Sequence, residues 1–310
     1  MDLFSITPSV LIAAIMVAAV PIILAAIGEL VVEKAGVLNL GVEGMMIMGA
    51  VCGFVTAVQT QSAALGFFGG ALGAAALSLV FALLTQYLMT NQVATGLALT
   101  MFGLGLSSLI GQEYGGILPP EMGDISFGLL AKVPVLGKIF FQHDLIVYLS
   151  IFFVAGVWAV LKYTHIGLVL RAVGDNHDAA HALGYKVIYV RILAIMFGGF
   201  MAGLGGSYIA LIRVPQWTDG ITAGAGWIAL AIVVFASWKP WRILLGAYIF
   251  GGITVLQLNL QAAGVNIPVE YLSMSPYLIT IIVLVVMSSD KSRATLAAPA
   301  SLAHTFHASR

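Results

Sequence analysis

Two things are scarce in this sequence, charge and cysteine. Charged residues make up 8% of the 310 positions, hydrophobic residues make up 61%, and the formal net charge is zero. In a soluble domain about a quarter of the residues are charged, so a soluble fold is excluded. A neutral chain also offers no basic surface for nucleic acid. The single cysteine, Cys52, excludes a disulfide framework and a cysteine-ligated metal site.

Long apolar runs, separated by short polar breaks, fill most of the chain. A membrane span needs about 20 apolar residues, and helices satisfy their own backbone groups in lipid. We therefore predict an all-α fold, a polytopic transmembrane bundle of about eight to ten spans. The first run is expected to remain as a span, because MDLFSITPSV lacks the basic start of a cleavable signal peptide. The predicted spans are Pro8–Ile27, Val37–Val58, Ala63–Leu84, Val93–Ile110, Leu145–Leu161, Val190–Ile212, Ile221–Trp238, Ile243–Gln261 and Pro276–Ser288.

The distribution of lysine and arginine sets the orientation of the bundle. With nine spans and a cytoplasmic C-terminus, ten of the 13 basic residues lie inside and three lie outside. We predict one transmembrane domain over residues 1–290, with a cytoplasmic loop over residues 162–189. The composition of residues 291–310 predicts a disordered cytoplasmic tail.

Two segments resemble each other, GVLNLGVEGMMIMGAV from Gly36 and GITAGAGWIALAIVVF from Gly220. The predicted topology sends the first outward and the second inward, which is the arrangement of an inverted repeat. In transporters such a repeat places the pathway between its halves. Glycines at helical spacing, such as Gly199 and Gly203, predict close packing of helices.

The stretch RAVGDNHDAAHALGYK, residues 171–186, is unusually polar, and Lys162–Arg191 holds six of the 26 charged residues. Asp175 or Asn176 suits a helix N-cap and Gly184 suits a C-terminal stop, which predicts a helix of about two turns. A solvated connector is one interpretation; we favour a docking surface for another protein. The flanking basic residues expected to hold this helix against lipid headgroups are Lys162, Arg171, Lys186 and Arg191.

Two long stretches carry a family resemblance. LRAVGDNHDAAHALGYKVIYVRILAIMFGGFMAGLGG and GELVVEKAGVLNLGVEGMMIMGA resemble inner-membrane permeases of bacterial ABC importers, in the group for branched-chain amino acids, simple sugars and nucleosides. The second stretch resembles the nucleoside branch. The resemblance implies a type II importer-like fold and a coupling helix that sits in a cleft of a separate ATPase. The residues given this coupling role are Asp175, Asn176, Asp178, Ala179, Ala180, Leu183 and Gly184.

The resemblance also implies a mechanism and partners. Nucleosides would cross by alternating access, with a second permease subunit as partner in a heterodimer and a substrate-binding lipoprotein docking on the outer loop 113–144. The chain has no G-x-x-x-x-G-K-[ST] motif, so ATP and magnesium belong to the ATPase and this chain binds no cofactor. Import of simple sugars stays open, and so does an ion-coupled secondary transporter, for which Glu43 is the candidate carboxylate.

Polar residues near the span ends are candidates for the translocation path. Asn39 and Glu43 would share a helix face and hydrogen-bond ribose hydroxyls, or Glu43 would bond backbone groups freed by an irregular helix. Helix capping is the alternative for Asn91 and its neighbours, and packing is the alternative for Trp227. The candidate path residues are Asn39, Glu43, Asn91, Gln92, Thr95, Thr222 and Trp227.

Other titratable residues indicate no metal or catalytic site. Glu29, Glu33 and Lys34 are expected to form surface ion pairs at the cytoplasmic interface. His177 and His181 lie four apart but lack the acidic residue of an H-E-x-x-H motif. No nucleophile with a matching base is apparent, so the chain is predicted to be a transporter subunit without catalysis of its own.

Overall fold

The computed structural model describes residues 8–123, 125–126, 133, 136–263, 268–288 and 298–307. Helices dominate these residues, so the predicted fold class is confirmed. Two short strands, β1 (Ile125–Ser126) and β2 (Gln142–His143), pair antiparallel. The helices are α1 (Pro8–Lys34), α2 (Val42–Thr60), α3 (Ala63–Gln86), α4 (Gln92–Gly111), α5 (Leu136–Phe140), α6 (Leu145–Tyr163), α7 (His165–Asp175), α8 (His177–Ala182), α9 (Val187–Tyr208), α10 (Ala225–Phe235), α11 (Pro240–Ala262) and α12 (Val269–Ser288).

Seven helices of the described part are long and apolar enough to cross a membrane: α1, α2, α3, α4, α6, α9 and α11. The predicted span Ile221–Trp238 is wrong in length, because α10 has 11 residues. Such a helix is about 16 Å long, roughly half the hydrocarbon thickness. Gly220 and Gly224 precede it with φ of 67° and 84°, which interrupts any helix at that point.

α1 lies at the centre of the bundle. It is apolar on all sides, and most of its residues from Met16 onward are buried against α6, α9, α10 and α11. A helix without a polar face has no stable place on a water-exposed surface. Large exposed apolar side chains, such as Phe68, Phe102 and Leu245, lie instead on the outer helices, as expected for contact with lipid.

α2, α3 and α9 cross one another at glycines. A Cβ on Gly203 would lie 2.5 Å from the carbonyl oxygen of Gly70, and one on Gly49 would lie 2.4 Å from the Cα of Gly203. At the same crossing Ser207 Oγ donates to the Gly49 carbonyl at 3.1 Å. The predicted role of Gly203 is confirmed, since helices approach this closely where side chains are absent.

The polar loop contains a helix that the sequence analysis missed. α7 buries Gly167, Leu170 and Val173, which recur every three residues. Ile166 and Leu168 are exposed on other sides of the helix. An amphipathic helix of this kind is typical of the membrane surface, and it delivers the chain to the start of α8.

α8 confirms the short helix predicted in this loop. Asn176 is its N-cap, with Oδ1 accepting from the Ala179 amide at 2.9 Å. Gly184, with φ of 90°, ends it in a Schellman motif, in which the Tyr185 amide donates to the Ala180 carbonyl. Both ends of α8 are therefore fixed by local sequence.

The described part of the tail is folded, so the prediction of disorder is wrong for residues 298–307. The Ser301 amide donates to the Gly174 carbonyl at 2.9 Å. Phe306 is 5% exposed and packs in an apolar cluster on α8 and its neighbours. The sequence composition could not show that this one aromatic residue packs into a buried site on α8. Residues 291–297 and 308–310 lie outside the described residues.

The outer loop holds the short helix α5 and the β1–β2 pair. Gly115 forms an isolated bridge with Trp217, which ties this loop to the segment before α10. Asp144 caps α6 by accepting from two amides. Asp124 and Lys132, two charged residues of this loop, lie outside the described residues.

Candidate functional site

The beginnings of α2 and α10 meet at the carboxylate of Glu43, which is 4% exposed. Its Oε1 accepts from Thr222 Oγ1 at 2.6 Å and from the Gly224 amide at 3.0 Å, and its Oε2 accepts from the Gly226 amide at 2.7 Å. The alternative in which Glu43 bonds free backbone groups is thus what the structure shows. The groups belong to α10, where a negative charge also meets the positive end of the helix dipole.

This meeting point lies inside the bundle. Trp217, which precedes α10, packs against Gly111 at the last residue of α4. Trp238, which follows α10, donates to Glu33 in the last turn of α1. Since α10 connects these two ends, its first residue lies at a depth between them. α2 and α10 therefore each begin within the bundle, and one carboxylate serves both.

Asn39 and Gln92 shape the segment that leads into α2. Asn39 is fully buried, and its Oδ1 accepts from the Gly41 amide at 2.9 Å. Gln92 Oε1 accepts from the Leu38 amide at 2.9 Å across 54 residues of sequence. These contacts supply partners for backbone amides that no helix satisfies. Asn39 and Gln92, two of the residues predicted to line a path, thus use their side-chain oxygens to hold the backbone before α2.

The remaining path candidates lie nearby. Asn91 caps α4 by accepting from the Ala94 amide at 3.0 Å, which matches the capping alternative. The hydroxyl of Thr95 lies 2.8 Å from that of Thr90. Trp227, in the first turn of α10, is 36% exposed, and its ring lies 3.9 Å from the Cβ position of Gly224, whose amide donates to Glu43.

Glu29 and Glu33 are not surface residues, so the predicted surface ion pairs are wrong. Each is 1% exposed, and the two lie one turn apart on α1. Glu29 accepts from the Asn39 amide at 3.3 Å, and Glu33 accepts from the indole of Trp238. Two carboxylates four apart in an otherwise apolar helix were the available signal, because such groups are costly in lipid and face protein.

α8 presents one face outward and one face inward. Leu183 is 77% exposed, and Asp175, Asn176, Asp178, Ala179 and Gly184 are exposed as well. Ala180 is 2% exposed, under the C-terminal tail. The alanine expected on the docking face is therefore a packing residue, and Asp178, two residues earlier, lies on the opposite side of the helix.

Arg191 is the functional candidate that the sequence analysis placed wrongly. It was expected to contact lipid headgroups, yet its side chain is fully buried. Its guanidinium donates to carbonyl groups of Ala35 and His304 and lies beside His177. An arginine near the start of a long apolar run was the signal, because a charge there needs protein partners.

The family of the chain is identified by comparison with known protein families. Residues 11–287 match the family described as the permease component of the branched-chain amino acid transport system. The chain belongs to this permease family. The resemblance noted in the sequence is thereby confirmed, and the helical bundle described above is a membrane subunit of an ABC transporter.

Three relatives of the permease match over nearly the whole chain. A putative glucose ABC transporter permease, TsgC13 of Haloferax volcanii, is 38% identical over 94% of this chain and 95% of its own. The nucleoside ABC transporter permease NupC of Lactococcus lactis is 33% identical over 90% and 92%. The guanosine ABC transporter permease NupQ of Bacillus subtilis is 34% identical over 89% and 91%. No solved structure matches the permease.

Family and structure agree on where the permease resides. Seven membrane-length helices and matches to ABC transporter permeases make it a multi-pass protein of the inner membrane. Among the described residues, no group of three or more histidine, cysteine or acidic side chains is placed to hold a metal ion.

Proposed function

We propose that the permease is the membrane subunit of an ABC importer for nucleosides. The observation that carries this is the match, over about nine-tenths of both chains, to permeases named for nucleoside and for guanosine transport. In the proposal a separate ATPase subunit binds ATP and magnesium and hydrolyses the nucleotide. The permease itself binds no cofactor and supplies the path.

The Glu43 cap supports alternating access as the mechanism. α2 and α10 belong to the two segments that resemble each other, and both begin at this buried carboxylate. In inverted-repeat transporters, discontinuous helices that begin within the membrane lie at the interface between the halves. Relative movement of the two halves about this point would open the path first to one side and then to the other.

The partners of the proposed importer fit the two ends of the bundle. The exposed face of α8, with Leu183 at its end, is the docking surface for the ATPase. A substrate-binding lipoprotein would dock at the opposite end, on the outer loop 113–144. A second, longer permease subunit would complete a heterodimer, and it would cover part of the apolar outer surface.

Simple sugars are the second candidate substrate. The match to TsgC13, a putative glucose permease, is 38% identical, whereas NupC and NupQ are 33% and 34% identical. A nucleoside carries a ribose, so hydroxyl recognition is common to both substrates. The base distinguishes them, and Trp227 beside the Glu43 cap offers a ring on which a base could stack.

Reconstituted vesicles test the proposal. The permease, its ATPase, its second permease and its binding protein are placed together, and uptake of labelled guanosine is measured with ATP present or absent. We expect guanosine uptake to need ATP. Unlabelled adenosine should reduce it by competition, and an excess of glucose should leave it unchanged. Competition by glucose but not by adenosine would assign the complex to sugars.

The same vesicles test an ion-coupled mechanism. Glu29 and Glu33, buried one turn apart, give this class more carboxylates than the sequence indicated. We expect an uncoupler of the proton gradient to leave ATP-driven uptake intact. Uptake that persists without ATP and collapses with the uncoupler would overturn the proposed function.

A further inference from the structure

Arg191 lies fully buried near the start of α9, where three distant segments meet. Its Nε donates to the Ala35 carbonyl at 3.1 Å, and its Nη1 donates to the His304 carbonyl at 3.0 Å. Its Nη2 lies 3.3 Å from Nδ1 of His177. Ala35 follows α1, His304 belongs to the tail and His177 begins α8. One guanidinium thus joins the end of α1, the tail and α8.

The chemistry of this position requires arginine. A guanidinium presents its donors in a rigid planar fork, whereas an ammonium group is a point charge that cannot reach three separate acceptors in this way. Gly36 makes room for the fork, since a Cβ there would lie 2.9 Å from Nη2. Among the described residues no carboxylate forms an ion pair with Arg191, so carbonyl groups and an imidazole provide its partners.

The tail closes over the buried face of α8. Phe306 packs edge-on against His177 and His181, with ring centroids 5.4 Å and 5.2 Å away. Ser301 donates its amide to the Gly174 carbonyl and its hydroxyl to the Asp175 carbonyl, at 2.9 Å and 3.3 Å. The apolar cluster that results contains Val173, Ala180, Val187 and Phe306.

We propose that Arg191 and residues 298–307 form a clamp that fixes α8 to the end of α1. This rests on the proposed function, in which α8 receives the movement of the ATPase. The clamp matters because the end of α1 contacts both halves of the bundle. Glu29 accepts from the amide of Asn39 before α2, and Glu33 accepts from Trp238 after α10. A rigid connection between α8 and α1 delivers movement to both segments.

Arg191 is in this view a positioning residue, and its test measures coupling rather than activity alone. Arg191→Gln removes the charge and part of the fork, Arg191→Lys keeps the charge, and Arg171→Gln is the matched control. Arg171 is exposed on α7 and bonds within its own helix. Nucleoside uptake and ATP hydrolysis are measured on the same vesicles, and ATPase capture by the tagged permease reports assembly.

We expect Arg191→Gln to retain ATPase capture and to lower uptake per ATP by about tenfold, within the range of residues that carry coupling. Arg191→Lys should lower it to a lesser extent, and Arg171→Gln should match the wild type. A chain that ends before residue 298 should reproduce the uncoupling. Unchanged uptake per ATP in both Arg191→Gln and the truncated chain would overturn the clamp.

Covalent restoration distinguishes a clamp from a movable lid. In a Cys52→Ala background, His181→Cys and Phe306→Cys remove two contacting rings and place thiols in their stead. We expect low uptake per ATP before cross-linking with a short bifunctional maleimide, and recovery after it. Further loss of uptake on cross-linking would show that the tail must leave α8, which also overturns the clamp.

These outcomes are separate from failure of the proposed function. If the unmodified complex shows no ATP-dependent nucleoside uptake, the proposed function fails. The clamp is then still tested by protease resistance of the tail, which Arg191→Gln should abolish and Arg171→Gln should leave intact. If the unmodified complex transports normally and both Arg191→Gln and the truncated chain equal it in uptake per ATP, the clamp alone fails.

Discussion

The side chains of Glu43 and Thr222 meet at 2.6 Å, although 179 residues separate them in the sequence. The same carboxylate accepts from the amides of Gly224 and Gly226. α2 and α10 are thereby joined at their first turns, inside the bundle and across the two similar segments. This contact joins the two halves that the proposed mechanism moves.

Substitution of Glu43 tests that connection. Glu43→Gln keeps one carbonyl oxygen but turns an amino group toward the Gly226 amide, so two donors face each other. Leaving a buried donor unsatisfied costs about 1–3 kcal/mol. Thr222→Val removes one hydrogen bond and should cost about 0.5–1.5 kcal/mol. Thermal unfolding in detergent measures both, and the pair should be non-additive because the groups are in contact.

The control for this series is Glu270→Gln on α12. Glu270 is exposed, so its substitution should change stability by less than about 0.5 kcal/mol. The interpretation of Glu43 as a cap is contradicted if Glu43→Gln is as stable as Glu270→Gln.

The fold was predictable from the sequence to the extent that hydrophobicity determines it. The runs that became α1, α2, α3 and α9 reach the length needed to cross lipid, and no tertiary contact was required to find them. The caps of α8 were equally local, because Asn176 and Gly184 act within a few residues. α10 was overestimated because the apolar run extends from Ile221 to Trp238, whereas positive φ at Gly224 delays the start of the helix and positive φ at Ser237 and Trp238 follows its end.

The candidate site was less predictable, since its contacts are between distant residues. Glu43 was singled out, but nothing in the sequence shows that its partners are Thr222 and the amides of α10. Arg191 was missed because its partners include backbone carbonyls of distant segments. Phe306 was missed because it lies in the tail and packs against α8. Composition alone assigns such residues to a surface or to disorder.

The glycine crossing of α2, α3 and α9 gives a second stability prediction. Gly203→Ala would place a methyl group 2.5 Å from the Gly70 carbonyl oxygen, so one helix must shift. We expect a loss of about 1–3 kcal/mol from overpacking, against a gain of at most about 1 kcal/mol in helix propensity. Gly156→Ala is the matched control, because nothing lies within 4 Å of its Cβ position. Thermal unfolding that is unchanged for Gly203→Ala would contradict the packing described here.

Docking of the ATPase on α8 is tested with Leu183→Asp. Leu183 is 77% exposed, so the substitution leaves the permease fold intact while placing a charge on the proposed docking face. We expect loss of ATPase capture in a pull-down. Leu118→Asp, 76% exposed at the outer end, should capture normally. Equal capture by the two variants would remove α8 from the interface.

Other substitutions on α8 test docking less cleanly. Ala180 is buried under the tail, so Ala180→Arg would displace Phe306 whether or not an ATPase binds. Gly184 has φ of 90°, so Gly184→Trp would strain the end of α8. Leu183 avoids both effects because its side chain is exposed and its backbone is unstrained.

The contact between His177 and Arg191 predicts a dependence on pH. Burial, followed by the charge of Arg191, lowers the pKa of His177 below its ordinary value, and Asp178, 3.6 Å away, opposes this in part. The neutral ring accepts from Arg191 through Nδ1, whereas a released ring binds a proton more readily. The packing of the tail on α8 is therefore most stable above about pH 6.5, and it weakens as the pH falls through that value.

The hydrogen-exchange rate of the Ser301 amide, compared with its intrinsic rate at each pH, measures this packing between about pH 7.5 and about pH 5.5. We expect protection to fall toward acid in the wild type. His177→Gln keeps an acceptor for Arg191 but cannot titrate, so its protection should change much less. His165→Gln, at an exposed histidine of α7 that does not act on the pKa of His177, should retain the wild-type profile. A steep acid loss that survives in His177→Gln would assign the dependence to another group.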